Sequence, residues 1–219
     1  MNSVLVAIPS MKEMSRLYPQ LVKTGCGVPY VAEGEKFDVA VCGVGLLEFA
    51  VNLSAILAGH RYDCVFQVGI CGAYLGRGIS IGDVVRVQSE TVGDMGVQEA
   101  NGFFSPWSRI GGGDATLYRE YGANLPASLA AIRTVSGISV NCCTGTKEMS
   151  CDRVSLFDVD VESMEGAALH AVCNRFGIPG FEFRAVSNIV SDRDPSTWKI
   201  NEALTALRLQ VLDQLTMNN

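Results

Sequence analysis

The sequence predicts an α/β fold in which helices cover both faces of a largely parallel or mixed sheet. Two observations predict it. Short apolar segments with strand character alternate along the chain with segments whose apolar residues recur at helical spacing. The chain is also 48% hydrophobic over 219 residues, which suits one domain with a substantial core. We therefore expect residues 1–219 to form a single domain.

The first half of the chain begins with an apolar strand pattern, SVLVAI, which Pro9 ends. The segment that follows carries Met14, Leu17 and Leu21 on one helical face. Glycines close the later apolar runs, where tight turns from strand to loop need their conformational freedom. The elements predicted in this half are strands 3–8, 38–42, 63–68 and 83–87 and helices 11–22 and 46–58.

The second half opens with residues 93–122, which are rich in glycine and polar residues and carry Phe103, Phe104 and Trp107. Loops of this length are uncommon in compact domains unless they have a function, so we predict a functional loop. Strand and helix patterns then resume. Gly177 follows the helix predicted over 164–173 and ends it. The elements predicted in this half are strands 132–140 and 180–186 and helices 164–173 and 200–215.

Charge and cysteine usage narrow the functional classes. The formal net charge is −6 and no basic run is present, so we expect no nucleic-acid partner. Most of the eight cysteines lie in apolar stretches, where a free thiol behaves as a small hydrophobe, and no CxxC pair suggests zinc. The first residues lack the basic region of a secretory signal, and no apolar run has transmembrane length. We expect a cytoplasmic protein without a metal or a cofactor.

Short polar or glycine-rich segments stand at the predicted carboxyl ends of the strands, where open α/β sheets bind their ligands. Gly43-Val44-Gly45 lacks the third glycine of a dinucleotide fingerprint and favours a tight turn. Gly69 and Gly72 also favour a turn, although they could let the backbone approach a flat ligand. Residues 144–146 and 187–188 complete the set of predicted strand ends.

Glu162 and Glu165 stand at the front of the helix predicted over 164–173. Acidic residues in a first turn complement the helix dipole, which is the simpler interpretation. The helix face that follows is rich in alanine and looks closely packed, so a carboxylate at its edge would be only partly solvated, as functional acids are. One helix and one strand separate Glu165 from Asn188, which places both at the same rim of the sheet.

Four segments together resemble one family: the acidic helix after the first strand, GICGA, MEGAA and RAVSN. In this order they are similar to the nucleoside phosphorylase/nucleosidase superfamily over essentially the whole chain. The resemblance implies a three-layer α/β/α sandwich around a mixed, partly barrel-like central sheet. It also implies cleavage of the N-glycosidic bond of a purine ribonucleoside without a cofactor, and a homodimer or larger homo-oligomer.

The resemblance also implies roles for individual residues. Phosphorylases of this superfamily hold phosphate with an Arg and a Ser, whereas this chain has Gln67 and Ile70 there, which favours water as the nucleophile. Glu13 corresponds to the acid that activates the water, and the alternative is a solvated glutamate at the start of a helix. Glu165 corresponds to the residue that binds the ribose hydroxyls, and Met164 packs on the sugar.

The purine base is expected to contact Asn188, where relatives that act on adenine nucleosides carry Asp. An amide offers a donor to a 6-oxo group and an acceptor to a protonated N7, but it cannot deliver a proton. Asn188 therefore favours hypoxanthine or guanine. The other residues expected to bind substrate are Ile70, Cys71, Gly72, Met149, Met164, Arg184, Ser187, Phe104 and Trp107.

Residues 91–104 and 191–204 are similar to one branch of the superfamily, the futalosine hydrolases, which release hypoxanthine during menaquinone synthesis. Phe104, Trp107 or Arg193 could then contact the 5′ substituent of the ribose. One departure is Glu148, which stands where relatives place an aromatic residue that stacks on the base, so stacking is expected from Met149 or the long loop. The alternatives are a methylthioadenosine/S-adenosylhomocysteine-type or inosine nucleosidase, a purine nucleoside phosphorylase, or a non-catalytic nucleoside-binding protein.

Overall fold

The computed structural model describes residues 3–22, 27–34, 36–111, 117–121 and 125–217. Over these residues it confirms the α/β fold, with a mixed sheet flanked by helices. The strands are β1 (Val4–Ile8), β2 (Tyr30–Ala32), β3 (Asp38–Val41), β4 (Cys64–Tyr74), β5 (Val84–Val92), β6 (Gly96–Gln98), β7 (Phe104–Pro106), β8 (Leu117–Arg119), β9 (Thr134–Ser139), β10 (Val161–Ser163) and β11 (Gly180–Val190). The helices are α1 (Met11–Leu17), α2 (Leu46–Gly59), α3 (Ala127–Ala130), α4 (Lys147–Phe157), α5 (Gly166–Phe176), α6 (Ile200–Leu207) and α7 (Asp213–Met217), with a π-helical segment, Arg208–Leu212, joining the last two.

The central sheet has the strand order β10-β9-β5-β11-β4-β1-β3-β2. Neighbours β1, β3, β4 and β11 are parallel, whereas β5 runs antiparallel to β11. β10 pairs parallel with β9 and also pairs antiparallel with β4, so part of the sheet closes on itself. The closure makes the sheet ring-like, but β1, β3 and β2 extend beyond it and it is not a barrel.

The two faces of the sheet bury separate apolar clusters because side chains alternate along each strand. Val6 of β1 and Phe183 of β11 pack on one face with α1 and α6. Leu5 of β1 packs on the other face with Phe49 of α2 and Leu169 of α5. The helical stripe predicted over 11–22 is only partly helical, since α1 ends at Leu17 and Pro19 begins a short 3-10 turn.

Two strands run further than predicted. β4 continues through the glycine-rich segment 69–72, predicted as a turn, because it pairs with β11 along its length and with β10 at residues 72–73. β11 continues through Ser187 and Asn188 to Val190, with a β-bulge between Val186 and Asn188. The predicted strand ends at 68 and 186 are therefore wrong. A bulge re-aims side chains without ending the strand, so Asn188 lies inside a strand.

Other segments also differ from the prediction. Glu162 lies in the short strand β10 and not in a helix, and α4 was not predicted. The predicted loop 93–122 contains the β6–β7 hairpin, a 3-10 turn and β8, while its residues 112–116 and 122 lie outside the described residues. Within the described ranges, no helix combines the length and the apolar character that crossing a membrane requires.

Candidate active site

A cavity of about 750 Å³ opens where β1, β4 and β11 meet the beginnings of α1 and α5. Its volume is in the range of small-molecule sites. Most of the predicted site residues line it: Glu13, Ile70, Cys71, Gly72, Met164, Glu165, Arg184, Ser187 and Asn188. Phe104, Trp107 and Met149 do not line it in the single chain, and their contact with a ligand stays a prediction.

Glu13 lies in the first turn of α1, which Ser10 caps by accepting from the Glu13 backbone N–H. The carboxylate accepts from the Ser10 hydroxyl at 2.6 Å and from the backbone N–H of Ile70 at 3.1 Å. A Cβ at Gly69 would lie 3.0 Å from Glu13 Oε1 and 2.8 Å from Arg184 Nη1. Gly69 is thus required for the approach of two charged side chains, and Glu13 both belongs to a helix cap and faces the cavity.

Glu165 is the N-cap residue of α5, but its side chain does not cap that helix. Its carboxylate accepts from the backbone N–H of Gly45 at 3.1 Å and from Arg184 Nη1 at 3.2 Å. Burial raises the pKa of Glu165, and Arg184 and the Gly45 N–H oppose the increase. Specific partners, and not the helix dipole, therefore hold this carboxylate at the cavity wall.

Gly45 is a functional contact that the sequence analysis missed. The Gly43–Gly45 segment does form the predicted tight turn, with φ of 98° and 90° at the two glycines. What the motif did not indicate is that this turn aims a backbone N–H at a carboxylate 120 positions away.

Arg184 is wholly buried, and its guanidinium bridges two acids. Nε donates to Glu182 Oε1 at 2.7 Å, while Nη1 donates to Glu165 and, at 3.4 Å, to the carbonyl oxygen of Ile70. Burial by itself lowers the pKa of Arg184, but Glu182 and then Glu165 outweigh it and raise the pKa. The sequence carried a signal for Glu182, since a Glu and an Arg two positions apart in a buried strand share one face.

Asn188 is half-buried at the bulge of β11. Its Oδ1 accepts from the Ser187 hydroxyl at 2.7 Å, and its Nδ2 is 3.4 Å from the carbonyl oxygen of Ile189. A Cβ at Gly72 would lie 3.1 Å from Asn188 Nδ2 and 2.7 Å from Val190 Cγ2. Gly72 therefore gives the amide room on the cavity side, within a strand and not in a turn.

Glu162 also lines the cavity, and the protein surrounds it with donors. Its Oε2 accepts from the Tyr74 hydroxyl at 2.7 Å, the Thr144 hydroxyl at 2.6 Å and Arg153 Nη1 at 2.7 Å. Its Oε1 accepts from the Thr144 backbone N–H at 2.8 Å. Sequence reasoning missed Tyr74, which is 88 positions from Glu162, and Arg153, which is nine positions away but lies on the unpredicted helix α4.

The rim of the cavity is cationic. Lys12 and Arg16 of α1 and Arg193, which follows β11, all line the cavity and are exposed. Arg193 lies over the Trp198 ring, 5.5 Å from its centroid. Across the described ranges none of the three forms an ion pair. Asp192 is the exposed acid of the lining, and it accepts from the Lys147 N–H at 2.9 Å.

Comparison with known families matches residues 21–213 to the Phosphorylase superfamily. A futalosine hydrolase of Thermus thermophilus is 29% identical over 182 residues, which are 80% of this chain and 79% of that protein. A futalosine hydrolase of Streptomyces coelicolor is 31% identical over 182 residues, 78% of this chain and 75% of that protein. A 5′-methylthioadenosine/S-adenosylhomocysteine nucleosidase of Shewanella loihica is 26% identical over 196 residues, 79% of this chain and 78% of that protein.

Solved structures share the fold at low sequence identity. A 5′-methylthioadenosine/S-adenosylhomocysteine nucleosidase of Helicobacter pylori, crystallised with butyl-thio-DADMe-Immucillin-A, has a TM-score of 0.79 at 17% identity over 100% of this chain and 99% of that one. The futalosine hydrolase of Helicobacter pylori has a TM-score of 0.76 at 16% identity over 100% and 98% of the two chains. The fold is thus common to both kinds of protein and does not choose between their substrates.

Proposed function

The chain belongs to the Phosphorylase superfamily and is an N-glycosidic hydrolase of the purine nucleosidase type, and we propose that its substrate is futalosine. The products would be hypoxanthine and dehypoxanthinyl futalosine, formed in the cytoplasm during menaquinone biosynthesis. The main support is Asn188, an amide at the cavity wall where relatives that act on adenine nucleosides carry a carboxyl group.

Water is the proposed nucleophile. A phosphate dianion needs a guanidinium or several donors to replace its hydration. Gln67 is wholly buried and absent from the cavity lining, and Ile70 presents an apolar side chain there. The one guanidinium deep in the cavity, that of Arg184, is already held by Glu182 and Glu165. This wall therefore has no free guanidinium among the described residues to bind a phosphate, whereas a water molecule needs only a base.

Glu13 is the proposed base. Its carboxylate is fixed by Ser10 and by the Ile70 N–H, so it would take a proton from water that attacks the anomeric carbon. Glu165 would accept from the ribose hydroxyls and stabilise the positive charge that develops on the sugar in the transition state. The electron pair of the broken bond passes to the purine, which takes a proton from solvent water, and Asn188 would bind the departing base.

The amide of Asn188 suits a 6-oxopurine. Nδ2 carries two protons, and its neighbour Ile189 uses at most one of them, at 3.4 Å. The second proton is available to a 6-oxo group, and Oδ1 has a second lone pair for a protonated N7. Methylthioadenosine would present an amino group in place of the oxo group, and an amino group does not accept the Nδ2 proton.

The cationic rim supports futalosine over methylthioadenosine. The exposed charged residues of the lining are three cations, Lys12, Arg16 and Arg193, and one acid, Asp192. The carboxylate of futalosine would gain from this positive field, and its aryl ketone could pack on Trp198. The methylthio group of methylthioadenosine is neutral and gains nothing from a cation.

A homodimer is also proposed, because large apolar side chains are exposed on α2 and at the β6–β7 hairpin. Leu47 on α2 is 74% exposed. Phe103, in the turn of the β6–β7 hairpin, is 51% exposed, and Trp107, which follows the hairpin, is 39% exposed. Asp94, just before that hairpin, accepts from the backbone N–H of Asn141, which follows β9. A second copy covering this surface could bring Phe104 or Trp107 to its partner's cavity. Light scattering of the purified protein tests the dimer.

The substrate is tested by a base-release assay on futalosine, inosine and methylthioadenosine, each with and without inorganic phosphate. We expect the highest kcat/KM for futalosine and no requirement for phosphate. Strict phosphate dependence would contradict the hydrolase, and faster turnover of methylthioadenosine would contradict the role of Asn188. Tight binding without turnover of any of the three would indicate a binding protein.

Asn188→Asp should move specificity toward adenine nucleosides, because a carboxyl group can protonate N7 and accept from the 6-amino group. The ratio of kcat/KM for methylthioadenosine to that for futalosine should rise by at least about tenfold. Asn174→Asp is the matched control, since this exposed amide bonds Arg119 outside the cavity. An unchanged ratio in Asn188→Asp would show that the amide does not select the purine base.

A further inference from the structure

The face of the sheet beneath α5 carries a layer of buried charged side chains that the proposed reaction does not use directly. Glu90 on β5, Glu182 on β11 and His170 on α5 are 0% exposed, and Arg184 is 1% exposed. With Glu165, three carboxyl groups surround one guanidinium. An ionised carboxylate that is buried without a counter-ion carries a large desolvation penalty. One guanidinium cannot offset this penalty for all three acids.

Arg184 divides its donors between two of the three carboxyl groups. Nε donates to Glu182 Oε1 at 2.7 Å and Nη1 donates to Glu165 Oε2 at 3.2 Å. Glu90 forms no ion pair within the described ranges. Its Oε2 accepts from the Ser139 hydroxyl at 2.8 Å. Glu90 is therefore the carboxyl group of this layer without a cation.

The remaining oxygens of Glu90 and Glu182 lie close to each other. Glu90 Oε1 and Glu182 Oε2 have no hydrogen-bond partner among the described residues. Both crowd the position that a Cβ would occupy at Gly166, and a Cβ at Gly137 would overlap the Glu90 carboxyl. Two glycines thus make room for the two carboxyl groups. Buried carboxyl groups this close do not both ionise, so one of the two keeps its proton.

The surroundings place that proton on Glu90. Burial, and after it the charge of Glu182, raise the pKa of Glu90 well above its ordinary value. Burial would raise the pKa of Glu182 too, but Arg184 and His170 outweigh burial and lower it. The imidazole Nε2 of His170 is 3.5 Å from Glu182 Oε2. From β4, Cys71 faces the layer as a neutral thiol, because burial raises its pKa to about 12.

We propose that Glu90 and Glu182 form an acid–carboxylate pair that shares one proton, and that Glu182 is a positioning residue that holds Arg184 against Glu165. Ionised Glu182 takes the Nε donor, which leaves Nη1 for Glu165 and for the Ile70 carbonyl oxygen. The protonated Glu90 keeps the layer from carrying a further negative charge. For the contact of Glu165 with ribose, this inference rests on the function proposed above.

The shared proton is tested on substrate-free protein with Glu90→Gln, whose amide keeps the shape and a donor of a protonated carboxyl group. Wild type at neutral pH should show the infrared C=O stretch of a buried protonated carboxyl, and the variant should lack that band. The wild-type Tm should also fall relative to that of the variant as pH rises above the unfolded-state pKa of Glu, about 4.3. A carboxyl with a raised pKa stabilises fully below its unfolded-state pKa and loses this contribution as pH rises. No wild-type band, or parallel Tm curves, would overturn the pair.

The positioning role is tested by the same substitution at the neighbouring carboxyl. Glu182→Gln removes the charge that holds Arg184, so kcat should fall roughly tenfold to a hundredfold with KM changed by less than about threefold. Glu90→Gln should keep kcat within about threefold. Full activity in Glu182→Gln, or an equal loss in Glu90→Gln, would overturn the role. If Glu182→Gln does not fold, Glu182→Asp keeps the charge but shortens the reach, and full activity there would overturn it.

The tests separate this inference from the choice of substrate. The infrared band and the Tm curves need no nucleoside, so they do not depend on futalosine. The kcat values are measured with whichever of futalosine, inosine or methylthioadenosine the base-release assay finds fastest. A failure of the futalosine proposal thus leaves both measurements interpretable.

Discussion

Two buried ion networks contact the cavity, one around Glu162 and one around Glu165, and the protein satisfies them to different degrees. An ionised carboxylate has about four acceptor positions. Glu162 accepts from four protein donors on Tyr74, Thr144 and Arg153, three of them at Oε2 and one at Oε1. Neither Glu162 nor Arg153 leaves a buried polar atom without a partner in the described part of the chain.

The network around Glu165 is incomplete by comparison. Glu165 accepts from Gly45 and Arg184, which leaves acceptor positions free toward the cavity. Behind it, Arg184 Nη2 and Glu182 Oε2 have no hydrogen-bond partner among the described residues. Two acids three positions apart therefore differ in kind: the first stabilises the wall of the cavity, and the second keeps capacity for a ligand.

The largest expected effect comes from breaking the complete network. Glu162→Ala leaves Arg153 buried without its counter-ion, so the free energy of unfolding should fall by about 3–5 kcal/mol. Urea denaturation at neutral pH measures it. Glu202→Ala, at an exposed acid in the first turn of α6, serves as the control and should change stability little. A comparably small change in Glu162→Ala would mean that the network does not stabilise the fold.

The second effect tests the incomplete network. Glu165→Gln should lower kcat by at least about a hundredfold, because the charge that faces the developing cation on the sugar is lost. The variant should still fold, since Arg184 keeps its bond to Glu182. Steady-state kinetics and circular dichroism measure the two quantities.

The control for Glu165→Gln is the same substitution at Glu162. Glu162→Gln should lose stability but keep kcat per folded molecule within about threefold, because four protein donors already hold this carboxylate. If Glu165→Gln were fully active, Glu165 would be a helix-start residue only, and the contrast between the two networks would disappear.

A smaller effect is expected from crowding the layer behind Glu165. In Gly166→Ala the new methyl group would overlap carboxyl oxygens of Glu182 and Glu90, so we expect a loss of about 1–3 kcal/mol together with a lower kcat. Gly59→Ala is the matched control, because Gly59 ends α2 with nothing within 4 Å of its Cβ position. Equal unfolding free energies in the two variants would show that the protein accommodates a methyl group at position 166.

The smallest expected effect is the loss of stability when one donor is removed from the complete network. Tyr74→Phe removes one of the four donors to Glu162, and about 1 kcal/mol of stability should be lost. The phenol is protonated at every working pH, because burial and then the charge of Glu162 raise the pKa of Tyr74. Thermal unfolding measures the change. A loss as large as that of Glu162→Ala would mean that the other three donors do not compensate.

Part of the fold followed from local patterns. The alternation of apolar strands with amphipathic helices correctly predicted β1, β3, α2 and α5 to within a few residues. The ends of β4 and β11 were predicted wrongly, because Gly69, Gly72 and Asn188 have the local preferences of turn residues. Hydrogen bonds from β10 and between β4 and β11 override those preferences, and they join segments far apart in the chain. α4 was missed because its sequence, KEMSCDRVSLF, is polar on most sides.

Part of the site also followed from the sequence. The motifs predicted that Glu13, Glu165 and Asn188 would meet, and the structure places all three on one cavity. They did not indicate Gly45 or Arg153, which hold Glu165 and Glu162. Gly45 meets Glu165 through the packing of elements 120 positions apart, and Arg153 lies on α4, a helix that the sequence pattern did not predict.

By itself the sequence determined the alternating elements, the apolar core and the kinds of group available at the site: two candidate acids, an amide and an arginine. Only the tertiary structure decided which acid is free to act. Glu162 and Glu165 look alike in VESMEGAA, and their difference lies in the donors that reach them. Those donors come from β4, α4 and the turn before α2, and a carboxylate's capacity for a ligand is what its protein partners leave unused.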